Sequence, residues 1–244
     1  MWLFVVLAAA AWNFPLAAPS ELALPEGFEK LPRDVQEALL LQTRDLQDIQ
    51  AEIKQYIRYG GVQETRRGYF WAERGGRFRL QYFKPSELVV FDGENLYWYI
   101  PENGFSWLLT MPSKKESSLA IPKPFWLKKG ATIFYESPWY GPFVGEKEVS
   151  FRIAHDKFVY EVLFSRKLQQ VIQRKTYEEG QLLHEEVFEE PTSCDGIPFF
   201  AKVKVLSYLP RQILSQTHYS HLRCNRGLSP HLFEKPPYPV RAYP

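Results

Sequence analysis

Residues 68–101 read GYFWAERGGRFRLQYFKPSELVVFDGENLYWYIP, and they carry the clearest structural pattern in the sequence. Short segments rich in aromatic and β-branched residues alternate with turn signals, a pattern typical of successive β-strands. The turn signals are Gly75-Gly76, Lys84-Pro85-Ser86 and Asp92-Gly93. Asp-Gly between two apolar segments is a strong hairpin signal, because glycine tolerates the positive φ that such turns need. The stretch therefore predicts four successive antiparallel strands.

The side chains of these strands alternate in polarity. Successive residues of a strand point to opposite faces of the sheet. Phe78, Leu80 and Tyr82 fall on one face of the second strand, and charged or polar residues fall on the other. This alternation indicates that one face of the sheet is buried. The first strand has large aromatic residues on both faces, which a sheet covered on both sides, or one bordering an apolar cavity, would explain.

The same stretch resembles the LolA family, the periplasmic carriers of outer-membrane lipoproteins. The family pattern is roughly G-x-[LF]-W-x-x-R-P-x-x-F-x-W, then a proline, then the hairpin V-S-D-G-x-x-[LV]-W-x-Y-x-P. This chain follows it from Gly68 to Pro101, with Gly75 in place of the usual proline and Leu80 in place of the usual tryptophan. Weaker similarity to the family continues in residues 46–55, 195–198 and 228–240.

The resemblance implies a mainly β fold: an incomplete, strongly curved antiparallel β-barrel with an N-terminal helix and a lid segment. A length of 244 residues is enough for one domain with a sizeable core. We expect a single LolA-like lipid-binding domain in residues 24–244, preceded by a signal peptide in residues 1–23 whose cleavage site stays open. The apolar run in residues 1–14 fits a signal peptide, because spanning a bilayer takes ~20 residues.

Further elements can be predicted along the chain. Asp34-x-x-Glu37 predicts a capping box that opens a helix ending near Asp45. The periodicity of residues 46–59 fits both a helix and a strand, and the resemblance favours a strand from about Ile49. The Pro- and aromatic-rich residues 108–145 are expected to form the lid. Partial alternation predicts six more strands, in residues 148–154, 157–165, 168–179, 182–190, 198–208 and 212–222.

The resemblance also implies a lipid-binding site, formed by Arg74, Phe78, Phe70 and Leu80. In the family, the arginine at this position points into the apolar cavity and hydrogen-bonds backbone carbonyls of the lid. An entering acyl chain breaks those bonds, so that the mouth has a closed and an open state. From the residues alone, Arg74 also fits a surface arginine whose stem lies on the sheet, and Phe78 fits plain core packing.

Charge and motifs exclude several functions. The net charge is +2, from 30 basic and 28 acidic residues, so the chain lacks the footprint of a nucleic-acid-binding protein. Pairs such as Arg66-Arg67 are interpreted as solvated, and His184-Glu185-Glu186 as exposed strand polarity. The sequence has no G-x-S-x-G, H-E-x-x-H or phosphate-binding glycine loop, so we expect neither catalysis nor a cofactor. His218 and His221 would face opposite ways on a strand, which disfavours a metal site.

The two cysteines, Cys194 and Cys224, leave two alternatives open. In an exported protein such a pair suggests a disulfide, whereas two inert buried thiols are the other interpretation.

The resemblance implies a monomeric periplasmic carrier of acylated lipoproteins. It would take its cargo from an inner-membrane ABC transporter and pass it to an outer-membrane acceptor. A sensor or binding module of the same fold, which reads lipoprotein or another lipid, is the alternative. A lipid-modifying hydrolase is disfavoured because its nucleophile motif is missing, and a membrane barrel because most strands carry charges.

Overall fold

The protein is built around one sheet whose strands alternate between an inner and an outer face. The computed structural model describes residues 24–74, 76–84, 86–109, 131–135, 147–208 and 212–242. The predicted signal peptide and most of the predicted lid lie outside these ranges, as do Gly75 and Pro85 of the family pattern.

The described elements follow one another along the chain. Helix α1 spans Arg33–Asp45. The strands are β1 Asp48–Tyr59, β2 Val62–Glu73, β3 Phe78–Lys84, β4 Ser86–Phe91, β5 Leu96–Ile100, β6 Phe105–Leu109, β7 Thr132–Phe134, β8 Glu148–His155, β9 Phe158–Ser165, β10 Gln170–Glu178, β11 Gln181–Cys194, β12 Ile197–Ser207, β13 Ile213–Cys224 and β14 Val240–Ala242.

The first and last long strands, β1 and β13, are neighbours in the middle of the sheet. Strands β1 to β6 are successive antiparallel neighbours, and β8 to β13 return from the opposite edge until β13 pairs with β1. The order is β14-β6-β5-β4-β3-β2-β1-β13-β12-β11-β10-β9-β8-β7, with β14 parallel to β6. The two edge strands do not pair with each other, so the sheet is curved but open. The predicted fold, an incomplete antiparallel barrel with an N-terminal helix, is confirmed.

The strand predictions hold along the described chain. The four strands predicted in residues 68–101 are the second half of β2 followed by β3, β4 and β5. The ambiguous residues 46–59 form strand β1 from Asp48, in agreement with the resemblance. Each of the six later strands is present, and β11 continues beyond its predicted end to Cys194. The Asp92-Gly93 turn is supported by the Asp92 carboxylate, which accepts hydrogen bonds from the backbone N–H groups of Glu94 and Asn95 at 2.8 and 2.7 Å.

The predicted capping box is wrong. Helix α1 begins at Arg33, directly after Pro32, and its N-terminus has no side-chain cap. Asp34 therefore lies inside the first turn, where its carboxylate pairs with Arg166 of the β9–β10 turn at 3.0 Å. Glu37 pairs instead with Arg33 at 2.8 Å. Pro32, not Asp34, therefore occupies the N-cap position, and both carboxylates of the predicted box form ion pairs instead.

Gly68, the first residue of the family pattern, allows β2 and β3 to approach closely. A Cβ atom at this position would lie 2.0 Å from the backbone carbonyl oxygen of Gln81. The register between the two strands shifts at this point, between Arg67 and Gly68. No other residue fits here without moving the backbone of the neighbouring strand.

The main core lies between α1 and the inner face of the sheet. Val35 and Leu39 of α1 are fully buried in the same apolar cluster as residues from both halves of the sheet. Alternate residues of β2 and β3, such as Phe70 and Leu80, belong to the same cluster and lie on the inner face of the sheet. The buried face predicted from the alternation of β3 is therefore the inner face.

The C-terminal segment covers part of the outer face. Phe233 is buried beneath the Arg77 guanidinium, which lies 5.2 Å from the centre of its ring. Tyr238 stacks on Tyr99 of β5 with 3.6 Å between the ring centres. The strands β3 to β5 are therefore covered on both sides. The outer aromatic residues of β2 are more open, and Tyr69 is 38% exposed.

Candidate functional site

Three of the four predicted lipid-binding residues lie together on the inner face. Phe70, Phe78 and Leu80 are 0%, 5% and 0% exposed, and they belong to the apolar cluster that contacts α1. The Phe78 ring stacks on Phe91 with 5.9 Å between the ring centres. These side chains could contact an acyl chain only after an element that covers the inner face has moved.

Arg74 lies in the turn that follows β2, at the rim where the chain passes from α1 into β1. Its backbone N–H donates a hydrogen bond to the carbonyl oxygen of Gln47 at 2.6 Å, which fixes the turn against this rim. The residue is half-buried. Its predicted partners in the lid fall on parts of the chain that the structure does not describe, so its role in locking the lid stays a prediction.

The inner face has two zones along the strands. The first zone is apolar and lies at the end where β1 begins, with Ala51 of β1 opposite Phe70 of β2. Further along the same pair of strands, Gln55 lies opposite Arg66. Polar residues continue from there across adjacent strands from β4 to β10, and we call this set the polar belt. Its buried members are Gln55, Arg66, Tyr82, Glu87, Arg174, Thr176, His184, Glu186, Ser207, Ser215 and Thr217.

Gln55 is the centre of the belt. Its side-chain Nε2 donates hydrogen bonds to the hydroxyl oxygens of Ser215 and Thr217 at 3.1 and 3.2 Å. Its Oε1 accepts a hydrogen bond from the Tyr82 hydroxyl at 2.9 Å. Burial raises the pKa of Tyr82, so the hydroxyl stays protonated and acts as a donor. The two halves of the sheet are thus joined by side chains as well as by backbone.

A buried ion pair flanks Gln55 on the β2–β4 side. Arg66 Nη1 donates to Glu87 Oε2 at 2.9 Å, and Trp98 Nε1 donates to the same oxygen at 3.3 Å. Arg66 also contacts Glu64 at 2.9 Å and lies over the Tyr82 ring. Burial raises the pKa of the Glu87 carboxyl, and the Arg66 charge partly offsets this effect. The interpretation of Arg66 as a solvated residue is therefore wrong, because it points to the inner face and has carboxylate partners there.

A second buried ion pair lies on the other side, between β10 and β11. Arg174 and Glu186 are directly opposite each other in the strand register, and Arg174 Nε donates to Glu186 Oε2. The side chains are only 3% and 0% exposed. His184 and Thr176 form the next pair on the same face. The interpretation of His184 and Glu186 as exposed strand polarity is wrong, because both alternate onto the inner face.

Burial lowers the pKa of His184 to about 4 from its ordinary value of 6.5, and the nearby Glu186 opposes part of this shift. The unfolded chain therefore binds this proton at a higher pH than the folded chain does. The stability that follows is complete above pH 6.5 and is lost as the pH falls towards 4. The full effect is roughly 3 kcal/mol. We expect urea unfolding at pH 7, 5.5 and 4 to show this loss, and His184→Leu to reduce it.

A matched control for this pH series is His231→Gln, because the His231 side chain is 82% exposed. It should leave the profile unchanged. If His184→Leu and the unmodified protein lose the same stability between pH 6.5 and 4, the buried neutral histidine is not the cause.

A disulfide joins Cys194 at the end of β11 to Cys224 at the end of β13, with 5.8 Å between the Cα atoms. This is the first of the two alternatives that the sequence leaves open. Arg226 and Asp195 form an ion pair beside it at 3.3 Å. The buried Asp48 carboxylate accepts hydrogen bonds from the backbone N–H groups of Arg226 and Gly227, both at 2.9 Å. These contacts fasten the rim of the sheet next to the start of β1.

Other parts of the described chain offer weaker candidate sites. A groove of about 300 Å³ lies at the β1–β2 turn, between Tyr59, Leu206 and Leu214, and no predicted site residue lines it. Within the described ranges, no group of three or more His, Cys, Asp or Glu side chains is placed to hold a metal ion. Across the same ranges, no helix combines the length and apolar character needed to cross a membrane.

These features define a class of protein: an open, curved antiparallel sheet whose inner face is buried beneath a helix. The sequence profile of the family described as outer membrane lipoprotein carrier protein LolA matches residues 44–111, which run from the end of α1 beyond β6. The resemblance seen in the motif is confirmed by this match within residues 44–111, and the fold agrees with it over most of the chain. Among curated proteins, none matches the sequence.

Solved structures show the same fold. A DUF1329 family protein from Desulfovibrio piger is 15% identical, with a TM-score of 0.64 over 86% of this chain and 98% of its own. A domain described as an outer membrane lipoprotein-sorting protein, from Vibrio parahaemolyticus, is 14% identical, with a TM-score of 0.64 over 84% and 97%. A LolA superfamily protein from Nitrosomonas europaea is 11% identical, with a TM-score of 0.57 over 78% and 91%.

Proposed function

We propose that this protein is a periplasmic carrier that shields the acyl chains of lipoproteins against its inner face and moves them from the inner to the outer membrane. The observation that carries the proposal is the large apolar zone beneath α1, in a chain with a LolA family match and the LolA-type fold. Residues 24–244 would form the mature single domain, after export directed by residues 1–23. The disulfide is typical of proteins that fold in an oxidising compartment.

The physical task of such a carrier is to keep acyl chains out of water. Each CH₂ group that leaves water contributes about 0.8 kcal/mol, so three long chains require an extensive apolar surface. Phe70 and Leu80 belong to that surface and are fully buried by the protein itself. Uptake therefore needs a covering element to move, and the apolar contacts of Val35 and Leu39 would be exchanged for contacts with the acyl chains. Because one set of contacts replaces another, binding can be reversible.

The partners in this proposal are those of the family. The carrier would receive an acylated lipoprotein from an inner-membrane ABC transporter and release it to an outer-membrane acceptor. It would act as a monomer, because one inner face encloses the chains of one cargo molecule.

The test is a release assay with the mature protein. Spheroplasts that contain a labelled triacylated lipoprotein are incubated with folded protein, and the label is then measured in the supernatant and in added outer-membrane vesicles. We expect release and then handover. No release would overturn the carrier function, and release without handover would favour the binding module. A matched lipoprotein whose acylated cysteine is replaced controls for leakage.

Arg74→Leu is expected to reduce handover by roughly tenfold or more while uptake is kept. In this proposal the guanidinium stabilises the closed state through hydrogen bonds that a bound acyl chain must break, so their loss favours the loaded state. The measurement is the rate of lipoprotein transfer to acceptor vesicles.

The control for this variant is Arg67→Leu, since Arg67 lies on β2 but is exposed on the outer face. It should leave both steps unchanged. Normal uptake and handover by Arg74→Leu would assign Arg74 to the surface.

A further inference from the structure

Two buried side chains of the polar belt each have an oxygen atom that makes no hydrogen bond within the described ranges. Thr176 Oγ1 and Glu186 Oε1 are without a hydrogen-bond partner in the part of the chain that the structure describes. The two residues are 1% and 0% exposed, so bulk water does not reach them. Burying a polar group without a partner is unfavourable, and buried polar groups in proteins are nearly always satisfied. The two atoms are therefore available to a polar group of a ligand.

The two residues are close neighbours on one face. Glu186 lies opposite Arg174 in the register of β10 and β11, and Thr176 lies opposite His184, two residues further along. Thr176 and Glu186 are thus diagonal neighbours, a relation that separates residues by roughly 7–8 Å. Side chains at this separation are close enough for one amide to hydrogen-bond to both, since each hydrogen bond adds ~2.9 Å to the length of the amide itself.

The chemistry of the two atoms defines what they can bind. A carboxylate oxygen only accepts hydrogen bonds, so Glu186 Oε1 needs an N–H or O–H donor. The Thr176 hydroxyl can donate to a carbonyl oxygen. The Arg174 charge is already balanced by Glu186, to which it is bonded. His184 is neutral at pH 7, because burial lowers its pKa to about 4. The patch therefore suits a neutral group with one donor and one acceptor better than a phosphate.

Apolar residues lead from this patch towards α1. Phe188 follows Glu186 by two residues on the same face of β11, and Val162 of β9 lies opposite Arg174. Both belong to the apolar cluster that includes the buried residues of the helix. A ligand whose polar group sits at the patch can thus extend an acyl chain along the apolar zone.

We propose that Thr176 and Glu186 form a head-group site for the amide of an N-acylated amphiphile. The amide N–H donates to Glu186 Oε1, and the amide carbonyl accepts from the Thr176 hydroxyl. The site rests on the proposed function, because it requires an acyl chain on the inner face. The site would make the protein bind amide-linked acyl chains more tightly than ester-linked ones. Burial of the acyl chain alone would not distinguish the two.

A matched pair of probes tests this preference. N-methylpalmitamide offers a donor and an acceptor, whereas methyl palmitate offers acceptors alone. Each probe is titrated against the fluorescent apolar dye bis-ANS bound to the folded mature protein. We expect the amide to displace the dye at about a tenfold lower concentration, because the lost donor leaves a charged acceptor unpaired.

Variants of matched size test the Thr176 contact. Thr176→Val should raise the concentration at which both probes displace the dye by about threefold or more, because each probe has a carbonyl oxygen that the hydroxyl would bond. Thermal stability should not fall, since the variant removes an unpartnered hydroxyl. Thr176→Ser keeps the hydroxyl and should keep both concentrations. Thr217→Val is the control within the same belt. Its hydroxyl is already bonded to Gln55, so this variant should lose stability but not change displacement by either probe.

The outcomes separate the site from the proposed function. Equal displacement by amide and ester would overturn the amide site and leave acyl-chain binding in place. Displacement by both probes that Thr176→Val leaves unchanged would also overturn it. If neither probe displaces the dye, acyl-chain binding itself fails, and the site fails with it.

Discussion

Glu186→Ala is expected to lower the free energy of unfolding by about 3–5 kcal/mol, the largest effect we foresee for a single substitution. The Arg174 and Glu186 side chains are 3% and 0% exposed and bond to each other across β10 and β11. Removal of the carboxylate leaves a guanidinium in the interior without its counter-charge. The measurement is equilibrium unfolding in urea at pH 7.

The double variant Arg174→Leu/Glu186→Leu distinguishes the cost of losing the ion pair from the cost of leaving one buried charge unpaired. Because it buries no unpaired charge, it should be clearly more stable than Glu186→Ala. An exposed pair provides the control: Arg33 and Glu37 are 90% and 64% exposed, so Glu37→Ala should cost less than about 0.5 kcal/mol. If Glu186→Ala costs no more than Glu37→Ala, the carboxylate is not buried as the structure shows.

Replacement of Cys194 and Cys224 by serine is expected to cost roughly 3–4 kcal/mol. The disulfide closes a loop of 30 residues in sequence separation, and the stabilisation follows from the chain entropy that such a loop removes from the unfolded state. The bond also fixes the β11–β12 turn to the end of β13, beside the start of β1. We expect the transition midpoint in urea to fall by the corresponding amount.

Reduction of the disulfide in the unmodified protein is the control for any effect of the serine side chains themselves. Dithiothreitol should shift its unfolding midpoint to that of the double-serine variant and should leave the variant unchanged. A midpoint that neither reduction nor substitution lowers would contradict a stabilising role for this bond.

The strand pattern could be predicted from sequence because its causes are local. Alternation along β3 and the turn residues at Asp92-Gly93 depend on neighbours within a few positions. The fold itself was predicted from the motif that begins at Gly68. A glycine is needed at this position because the backbone of Gln81 lies too close for a Cβ atom. The start of α1 differs from the prediction because Pro32, not Asp34, precedes the first helical turn, and the Asp34 carboxylate pairs with Arg166 of a distant turn.

The polar belt shows what local patterns leave out. Gln55 bonds to Ser215 and Thr217, which are 160 and 162 residues away in the sequence, so their contact depends on how β1 pairs with β13. Arg174 and Glu186 are nearer in sequence, but their burial depends on what covers the inner face. A signal was present, since polar residues interrupt the apolar period of these strands. It could be interpreted only once the register and the buried face were known.

The polar belt also shows that the inner face is not uniformly apolar. A carrier of acyl chains needs apolar surface, and the zone that contains Phe70 and Leu80 provides it. Buried ion pairs contribute little net stability compared with apolar residues of similar size. Net stability therefore does not explain the two pairs on this face, and the amide site that we propose would give the Arg174–Glu186 pair a role in recognition.

The most direct test of the central claim is to map where an acyl chain contacts the folded protein. A lipoprotein or amide probe with a diazirine in its acyl chain is bound to the mature protein and photolysed, and the labelled peptides are identified by mass spectrometry. We expect labels at inner-face positions, including Phe70 and Leu80, and excess unlabelled ligand should remove them. Labels confined to the outer aromatic residues Tyr69 and Phe83, with none on the inner face, would contradict the central claim.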